Sequence, residues 1–171
     1  MKMRPLFDEA TIAKRIKALG DQITADYDGE PVLVVSVLKG AFMFTADLVR
    51  QIKVPVEVDF IGLASYEGTQ SSGHVRITSD LSSKIEGRHV LLVEDIVDTG
   101  KTLDFLRDMF SLRNPKSLKI CTLLSKPEAH EMKTPVDYTG FEITREFVIG
   151  YGLDLDQRYR ELPYIAQVLE V

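Results

Sequence analysis

The chain has 171 residues, of which 44% are hydrophobic and 27% charged, a balance typical of one globular domain spanning 1–171 and unlike disordered, collagen-like or coiled-coil proteins. Because 26 acidic and 21 basic side chains give a net charge of −5, we expect no nucleic-acid partner. No uncharged run exceeds eight residues, so we expect no membrane partner. The single cysteine, Cys121, excludes an internal disulfide framework, and Asp8 and Glu9 interrupt any apolar leader, so we expect a cytoplasmic protein.

The first half of the chain predicts a helix followed by alternating strands and helices. Apolar residues recur every three to four positions between Asp8, a candidate N-cap, and the turn at 28–29; they are Ile12, Ile16, Leu19, Ile23 and Tyr27. Residues 32–38 are apolar at successive positions, as in a buried parallel strand. The following patterns predict a helix at 41–52, a strand at 56–65 with an exposed Glu57/Asp59 face, a polar loop at 67–73 and a strand at 75–78.

The second half continues this alternation. Apolar runs predict strands at 89–94, 117–124, 147–151 and 164–169, and a helix follows the first of them. Its apolar positions are Leu103, Leu106, Met109 and Phe110. The alternation predicts an α/β fold with a mostly parallel sheet flanked by helices. Ligands of such sheets bind beyond the carboxyl ends of the strands.

The stretch at 90–102, VLLVEDIVDTGKT, is the most informative in the chain. Glu94 and Asp95 are adjacent carboxylates at the end of a buried strand, where they need a cation or hydroxyl groups as partners. The amides that open the next helix favour a phosphate. Together they predict a ligand with hydroxyls, a phosphate and a metal ion. A nucleotide-triphosphate P-loop is excluded, because the glycine it requires before Gly100-Lys101-Thr102 is replaced by Asp95.

Residues 90–102 resemble the phosphoribosyl-pyrophosphate signature of the type I phosphoribosyltransferases. Further segments, in order, resemble the hypoxanthine/guanine members of that family: VLKGA at 37–41, SY at 65–66, LLSK at 123–126, FVIGYGLD at 147–154 and YR at 159–160. The resemblance implies the type I phosphoribosyltransferase fold, with a small hood from the N- and C-terminal segments and a mobile active-site loop. It implies transfer of 5-phosphoribose from phosphoribosyl pyrophosphate to hypoxanthine or guanine, a 6-oxopurine base, giving IMP or GMP and pyrophosphate.

Two alternatives are weighed against this interpretation. An adenine or pyrimidine phosphoribosyltransferase is disfavoured by Lys126 together with Phe147-Val148. A regulatory protein that uses this fold to bind nucleotides and nucleic acid is disfavoured by the net negative charge. The order of preference among hypoxanthine, guanine and xanthine is left open by the sequence.

The resemblance assigns roles around the phosphate and the sugar. It implies that Asp98 is the general base and that Glu94 and Asp95 face the ribose hydroxyls. It implies a loop for the 5′-phosphate formed by Asp98, Thr99, Gly100, Lys101 and Thr102. It also implies a Mg²⁺ cofactor, with Glu94, Asp95 and Asp154 as metal residues.

Roles for the base, the pyrophosphate and the loop follow from the same resemblance. Lys126 is implied to donate to the purine 6-oxo group, Phe147 to stack on the base, and the Val148 backbone to read the ring edge. Lys39 and Gly40, after a Leu38-Lys39 peptide that is often cis in the family, are implied to bind pyrophosphate with Arg160. Ser65 and Tyr66 are implied to start the mobile loop. Because members of this family commonly form dimers or tetramers, the resemblance also implies a homodimer or homotetramer.

Overall fold

The computed structural model describes residues 1–65 and 75–170; Tyr66 and the predicted mobile loop at 67–73 lie outside them. In chain order the strands are β1 (Lys2–Phe7), β2 (Val32–Leu38), β3 (Val56–Ser65), β4 (Val75–Ser79), β5 (His89–Val97), β6 (Ser117–Ser125), β7 (Tyr138–Glu142), β8 (Val148–Ile149) and β9 (Ile165–Glu170). The helices are α1 (Glu9–Tyr27), α2 (Phe42–Val49) and α3 (Lys101–Ser111), with a 3₁₀ turn at Pro127–Ala129. None of the helices in the described part of the chain is long and apolar enough to cross a membrane.

A six-stranded sheet forms the centre of the molecule, in the order β4-β3-β2-β5-β6-β7. All neighbouring strands are parallel except β4, which runs antiparallel to β3. The predicted mostly parallel sheet is therefore confirmed. The crossovers place α1 and α2 on one face, against Val34 and Leu91, and α3 on the other face, against Val35 and Leu92.

The first helix follows its sequence pattern closely. The Asp8 carboxylate accepts a hydrogen bond from the Thr11 N–H at 2.8 Å, which satisfies one of the free amides of the first turn. The helix ends at Asp28, which adopts a left-handed conformation with φ of 45°. The predicted apolar stripe is buried along its whole length.

A second, three-stranded antiparallel sheet in the order β1-β9-β8 joins the two ends of the described chain. The sequence patterns did not predict β1, in which Lys2, Arg4 and Pro5 interrupt any apolar run. Its pairing with β9, for example Met3 opposite Val168, decides the conformation. The predicted strand at 147–151 shortens to Val148–Ile149 because Gly150 and Tyr151 have positive φ angles. The edge strand β7 of the six-stranded sheet was also not predicted.

Two predictions before and within β3 are corrected by the structure. The predicted helix at 41–52 is present but ends earlier, at Val49, because the chain then turns to place the Lys53 N–H on the Thr24 hydroxyl oxygen at 3.0 Å. Asp59 is buried rather than exposed, whereas Val58 and Phe60 on the other side of the strand are exposed. The Asp59 carboxylate compensates for its burial with hydrogen bonds from the segment that precedes β5.

Candidate active site

The carboxyl ends of the parallel strands surround a cavity of about 310 Å³. This is the edge of the sheet where the sequence predicts ligand binding. Predicted site residues that line it are Lys39, Gly40, Glu94, Asp95, Asp98, Thr99, Gly100, Thr102, Asp154 and Arg160. The Lys101 side chain points elsewhere, with its ammonium 3.2 Å from a Glu131 carboxylate oxygen.

Glu94 and Asp95 form a closely coupled acidic pair at the end of β5. Burial, and then the charge of Asp95, raise the pKa of Glu94 well above its usual range. Burial also raises the pKa of Asp95, although the Ile96 N–H donates to its Oδ1 at 2.7 Å. A buried and a partly buried carboxylate that resist losing their protons together are suited to a cation or to ribose hydroxyls.

The turn between β5 and α3 lines the cavity with Thr99 and Gly100. Gly100 begins this helix in a left-handed conformation, with φ of 83°. A Cβ atom there would lie 2.6 Å from Met132 Cγ, so the position favours glycine both by conformation and by space. The Glu131 N–H donates to the Thr99 carbonyl at 2.9 Å and holds the turn in place. A helix N-terminus of this kind is suited to a phosphate.

Lys126 follows β6 and lies next to Asp98. Its backbone N–H donates to the Val97 carbonyl at 2.9 Å, which ties the end of β6 to the end of β5. Its Nζ is 3.9 Å from Asp98 Oδ2; the Lys126 side chain is 14% exposed and that of Asp98 60%. Asp98 also lines a neighbouring cavity of about 360 Å³ that includes Lys126. A carboxylate and an ammonium therefore meet where two cavities adjoin.

The opposite wall of the first cavity carries positive charge. The Leu38-Lys39 peptide is cis, as the family resemblance implied. The Arg160 guanidinium donates to the Gly152 carbonyl at 2.7 Å and lies 3.3 Å from an Asp154 carboxylate oxygen. The guanidinium is 18% exposed in this arrangement. Its remaining donors are available to a ligand in the cavity.

The three predicted metal residues do not form a metal cage of their own. Within residues 1–65 and 75–170, no three His, Cys, Asp or Glu side chains converge closely enough to hold a metal ion. Asp154 instead pairs with Arg160 and accepts from the Gln157 N–H at 2.8 Å. Mg²⁺ ordinarily binds one or two carboxylates together with water and substrate phosphates, so an open arrangement of hard oxygen donors fits it.

The remaining predicted residues are placed with less contact to the cavities. Phe147 is 51% exposed just before β8, and its carbonyl accepts from the Val168 N–H at 2.9 Å. The neighbouring Val148 is buried. Ser65 ends β3 opposite Val75, and Tyr66 lies outside the described residues.

Sequence reasoning did not identify several residues of this site, among them Leu63, Ile96 and Gln157. Leu63 and Ile96 line the main cavity, and Gln157 contacts two of its cations. Leu63 and Ile96 are ordinary strand residues in the sequence, and Gln157 lies in a polar stretch without regular pattern. Only the folded arrangement indicates that these residues belong to the site.

A family model described as a phosphoribosyl transferase domain matches residues 5–156. The chain belongs to the phosphoribosyltransferase family. Hypoxanthine phosphoribosyltransferase from Haemophilus influenzae is 51% identical over 168 residues, covering 96% of this chain and 94% of that protein. Hypoxanthine-guanine phosphoribosyltransferase from Streptococcus thermophilus is 46% identical, covering 96% and 92%.

Solved phosphoribosyltransferase structures agree with this assignment. A hypoxanthine-guanine phosphoribosyltransferase from Bacillus anthracis superposes with a TM-score of 0.94 at 44% identity, covering 98% of this chain and all of that one. Hypoxanthine phosphoribosyltransferase from Trypanosoma cruzi, in complex with the product IMP, gives a TM-score of 0.90 at 47% identity, covering 95% and 92%. The type I phosphoribosyltransferase fold is thereby confirmed, and these relatives are enzymes rather than regulators.

Proposed function

We propose that this phosphoribosyltransferase is a purine-salvage enzyme that transfers 5-phosphoribose from phosphoribosyl pyrophosphate to hypoxanthine or guanine. The observation that carries the proposal is the position of Lys126 against Asp98, at the border of the cavity that contains the acidic pair and the phosphate turn. A purine base bound by Lys126 would then lie beside the Asp98 carboxylate and next to the ribose of phosphoribosyl pyrophosphate. The relatives' names support the same substrate class.

The reaction exchanges one bond at C1′ of the ribose. N9 of the purine attacks C1′ while the bond from C1′ to the pyrophosphate oxygen breaks, and pyrophosphate leaves. Asp98 takes the proton from N7, so that the nucleotide product is neutral at the ring. Lys126 donates to the 6-oxo group. Because an ammonium only donates, the amino group of adenine finds no acceptor there.

The other residues bind the sugar and the phosphates. Glu94 and Asp95 accept hydrogen bonds from the ribose hydroxyls, and the amides at the start of α3 bind the 5′-phosphate. The loop at Lys39 and Gly40 binds pyrophosphate together with Arg160, whose planar guanidinium suits phosphate oxygens. Glu94, Asp95 and Asp154 would hold Mg²⁺, which when bound offsets the negative charge of the pyrophosphate.

A turnover assay with the purified protein tests this function. We expect IMP from hypoxanthine or GMP from guanine in the presence of phosphoribosyl pyrophosphate and Mg²⁺, and no AMP from adenine. Comparing kcat/KM for hypoxanthine, guanine and xanthine gives the order of preference. Failure to convert any of the three bases would refute the proposal, and a gel shift at physiological salt would then test the nucleic-acid alternative.

We also propose that the protein is a homodimer or homotetramer. Phe42 of α2 and Val58 and Phe60 of β3 are exposed large apolar side chains. Phe60 pairs in register with Ser36, whose hydroxyl lies 2.7 Å from that of Thr45 in α2, so these elements are side by side. Exposed apolar side chains on neighbouring elements favour association with a second copy.

Sedimentation velocity tests the oligomer. Phe60→Glu is expected to reduce the fraction of oligomer. Phe105 is also an exposed aromatic residue but lies on α3, on the opposite face of the central sheet, so Phe105→Glu is expected to leave the oligomer unchanged. A wild-type monomer at micromolar concentration would contradict the proposal. A single domain over 1–171 and a cytoplasmic location stay predictions.

A further inference from the structure

Gln157 connects two cations on the pyrophosphate side of the cavity. Its amide oxygen accepts from Lys39 Nζ at 3.2 Å and from Arg160 Nη2 at 3.0 Å. Lys39 comes from the end of β2, whereas Gln157 and Arg160 come from the chain between β8 and β9. One neutral side chain thus brings together positive groups from two distant parts of the sequence.

The backbone around Gln157 is shaped to place this amide. Asp156 and Gln157 have φ angles of 51° and 66°, a left-handed conformation that non-glycine residues adopt at a cost. The Gln157 N–H donates to Asp154 Oδ2 at 2.8 Å, which closes the turn. Arg160 is fixed independently by the Gly152 carbonyl at 2.7 Å. Arg160 therefore has a contact of its own, and the amide oxygen holds the Lys39 ammonium next to it.

The chemistry of an amide explains why it is suited to this position. Two cations that share one acceptor repel each other, and an anion between them would be strongly attracted. A carboxylate at position 157 would supply that anion permanently and compete with a ligand. A carboxamide oxygen accepts both hydrogen bonds but carries no net charge. Apart from Asp154, which lies 3.3 Å from Arg160, the turn places no negative charge between the two cations, so they still attract an incoming anion.

We propose that Gln157 is a positioning residue that holds Lys39 and Arg160 as a receptor for the pyrophosphate group. Before the ligand binds, the amide oxygen accepts hydrogen bonds from Lys39 and Arg160. When pyrophosphate binds, one of its oxygens accepts from the same two donors. The inference rests on the proposed function, and it adds a role for the Lys39 ammonium and for the neutral charge of residue 157. Residue 157 acts through these cations and has no part in the chemical step.

Two variants of Gln157 separate charge from hydrogen bonding. Gln157→Glu adds the competing anion and is expected to raise the KM for phosphoribosyl pyrophosphate, and the Kd for pyrophosphate with Mg²⁺, by about tenfold. Gln157→Met keeps the length of the side chain but removes the acceptor, and a smaller rise of about threefold is expected. The KM for hypoxanthine and kcat are expected to stay within about twofold of wild type. Gln22→Glu, which adds the same charge on the exposed surface of α1, is the matched control and is expected to change none of these values.

Calorimetry with pyrophosphate and Mg²⁺ alone keeps this test separate from the proposed activity. If the wild-type protein forms no nucleotide but binds pyrophosphate more tightly than Gln157→Glu does, the proposed function is refuted, whereas the proposed role of Gln157 in pyrophosphate binding is supported. Equal pyrophosphate affinity in wild type and Gln157→Glu would overturn the receptor. Equal losses in the KM for hypoxanthine, the KM for phosphoribosyl pyrophosphate and Tm would also overturn it, because they would indicate that the residue only maintains the turn.

Discussion

Gly40 lies directly against the carboxylate of Asp95. A Cβ atom at position 40 would lie 2.6 Å from Asp95 Cγ, and the Ile96 N–H fixes the same carboxylate from another side at 2.7 Å. The loop after β2 and the acidic pair at the end of β5 therefore share one wall of the cavity. Any side chain at position 40 must displace a residue that we assign to the sugar.

This contact makes Gly40→Ala a test of the shared wall. The added methyl group pushes Asp95 out of place, so we expect the KM for phosphoribosyl pyrophosphate to rise by about tenfold or more. The KM for hypoxanthine should change much less, because in our proposal the base binds on the side of Lys126. Steady-state kinetics with each substrate varied in turn measures both values. Unchanged KM for phosphoribosyl pyrophosphate would show that Asp95 adapts without loss.

Asp98→Asn tests the general base. The carboxamide keeps the shape of the side chain but cannot take a proton, so kcat should fall by about 10²–10⁴-fold while phosphoribosyl-pyrophosphate binding is retained. Single-turnover measurements report the chemical step itself. Asp108→Asn, on the exposed surface of α3, is the control and should behave as wild type. Near-normal turnover of Asp98→Asn would remove Asp98 from the assigned role.

Lys126→Gln tests selectivity for the 6-oxo group. A glutamine can accept as well as donate, so binding of hypoxanthine should weaken and the preference over adenine should narrow. The ratio of kcat/KM for hypoxanthine to that for adenine is the measurement. Lys116→Gln, an exposed lysine before β6, should leave this ratio unchanged. If Lys126→Gln leaves it unchanged as well, discrimination resides in other groups, such as the backbone near Val148.

Asp59 gives the fold a defined dependence on pH. Burial raises the pKa of Asp59, but hydrogen bonds from the Phe60 N–H, the Ser83 N–H and Ser82 outweigh it, and the pKa lies below its ordinary value. A carboxyl whose pKa is lowered by folding stabilises the protein above the pKa of the unfolded chain. That contribution disappears as the pH falls through the folded-state pKa.

Asp59→Asn should accordingly lower the free energy of unfolding at neutral pH by about 1–3 kcal/mol, because one of the two oxygens that accept these hydrogen bonds becomes an NH₂ group, which cannot accept. The difference from wild type should shrink below about pH 4, where the unfolded carboxyl is protonated. Urea titrations at several pH values measure it. Glu57→Gln, on the same strand but 66% exposed, should change stability by less than about 0.5 kcal/mol. A difference for Asp59→Asn that does not vary with pH would refute this assignment.

Local patterns predicted much of the framework. The apolar period from Ile12 to Tyr27 and the Asp8 cap define α1, and the uniformly apolar run at 32–38 defines β2, because both signals depend on neighbouring residues. The stretch at 90–102 likewise combines a buried strand, two carboxylates and a helix start in consecutive positions. The chemistry of this stretch can therefore be inferred from the sequence alone. The strand β5 extends three residues further than predicted, so the acidic pair still belongs to it.

Contacts between residues far apart in the sequence determined the remaining features of the fold and the site. Lys2–Phe7 becomes a strand only because β9, at the other end of the chain, offers an edge with matching register. Asp59 is buried only because Ser82 and Ser83 supply its hydrogen bonds. Lys39 and Arg160 meet only through Gln157, more than a hundred residues along the chain from Lys39. The sequence by itself determined the class of fold and the chemistry at the end of β5, since those rest on local period and on adjacent side chains. The tertiary structure alone showed that Gln157 joins Lys39 to Arg160, because long-range contacts have no signature in a single local pattern.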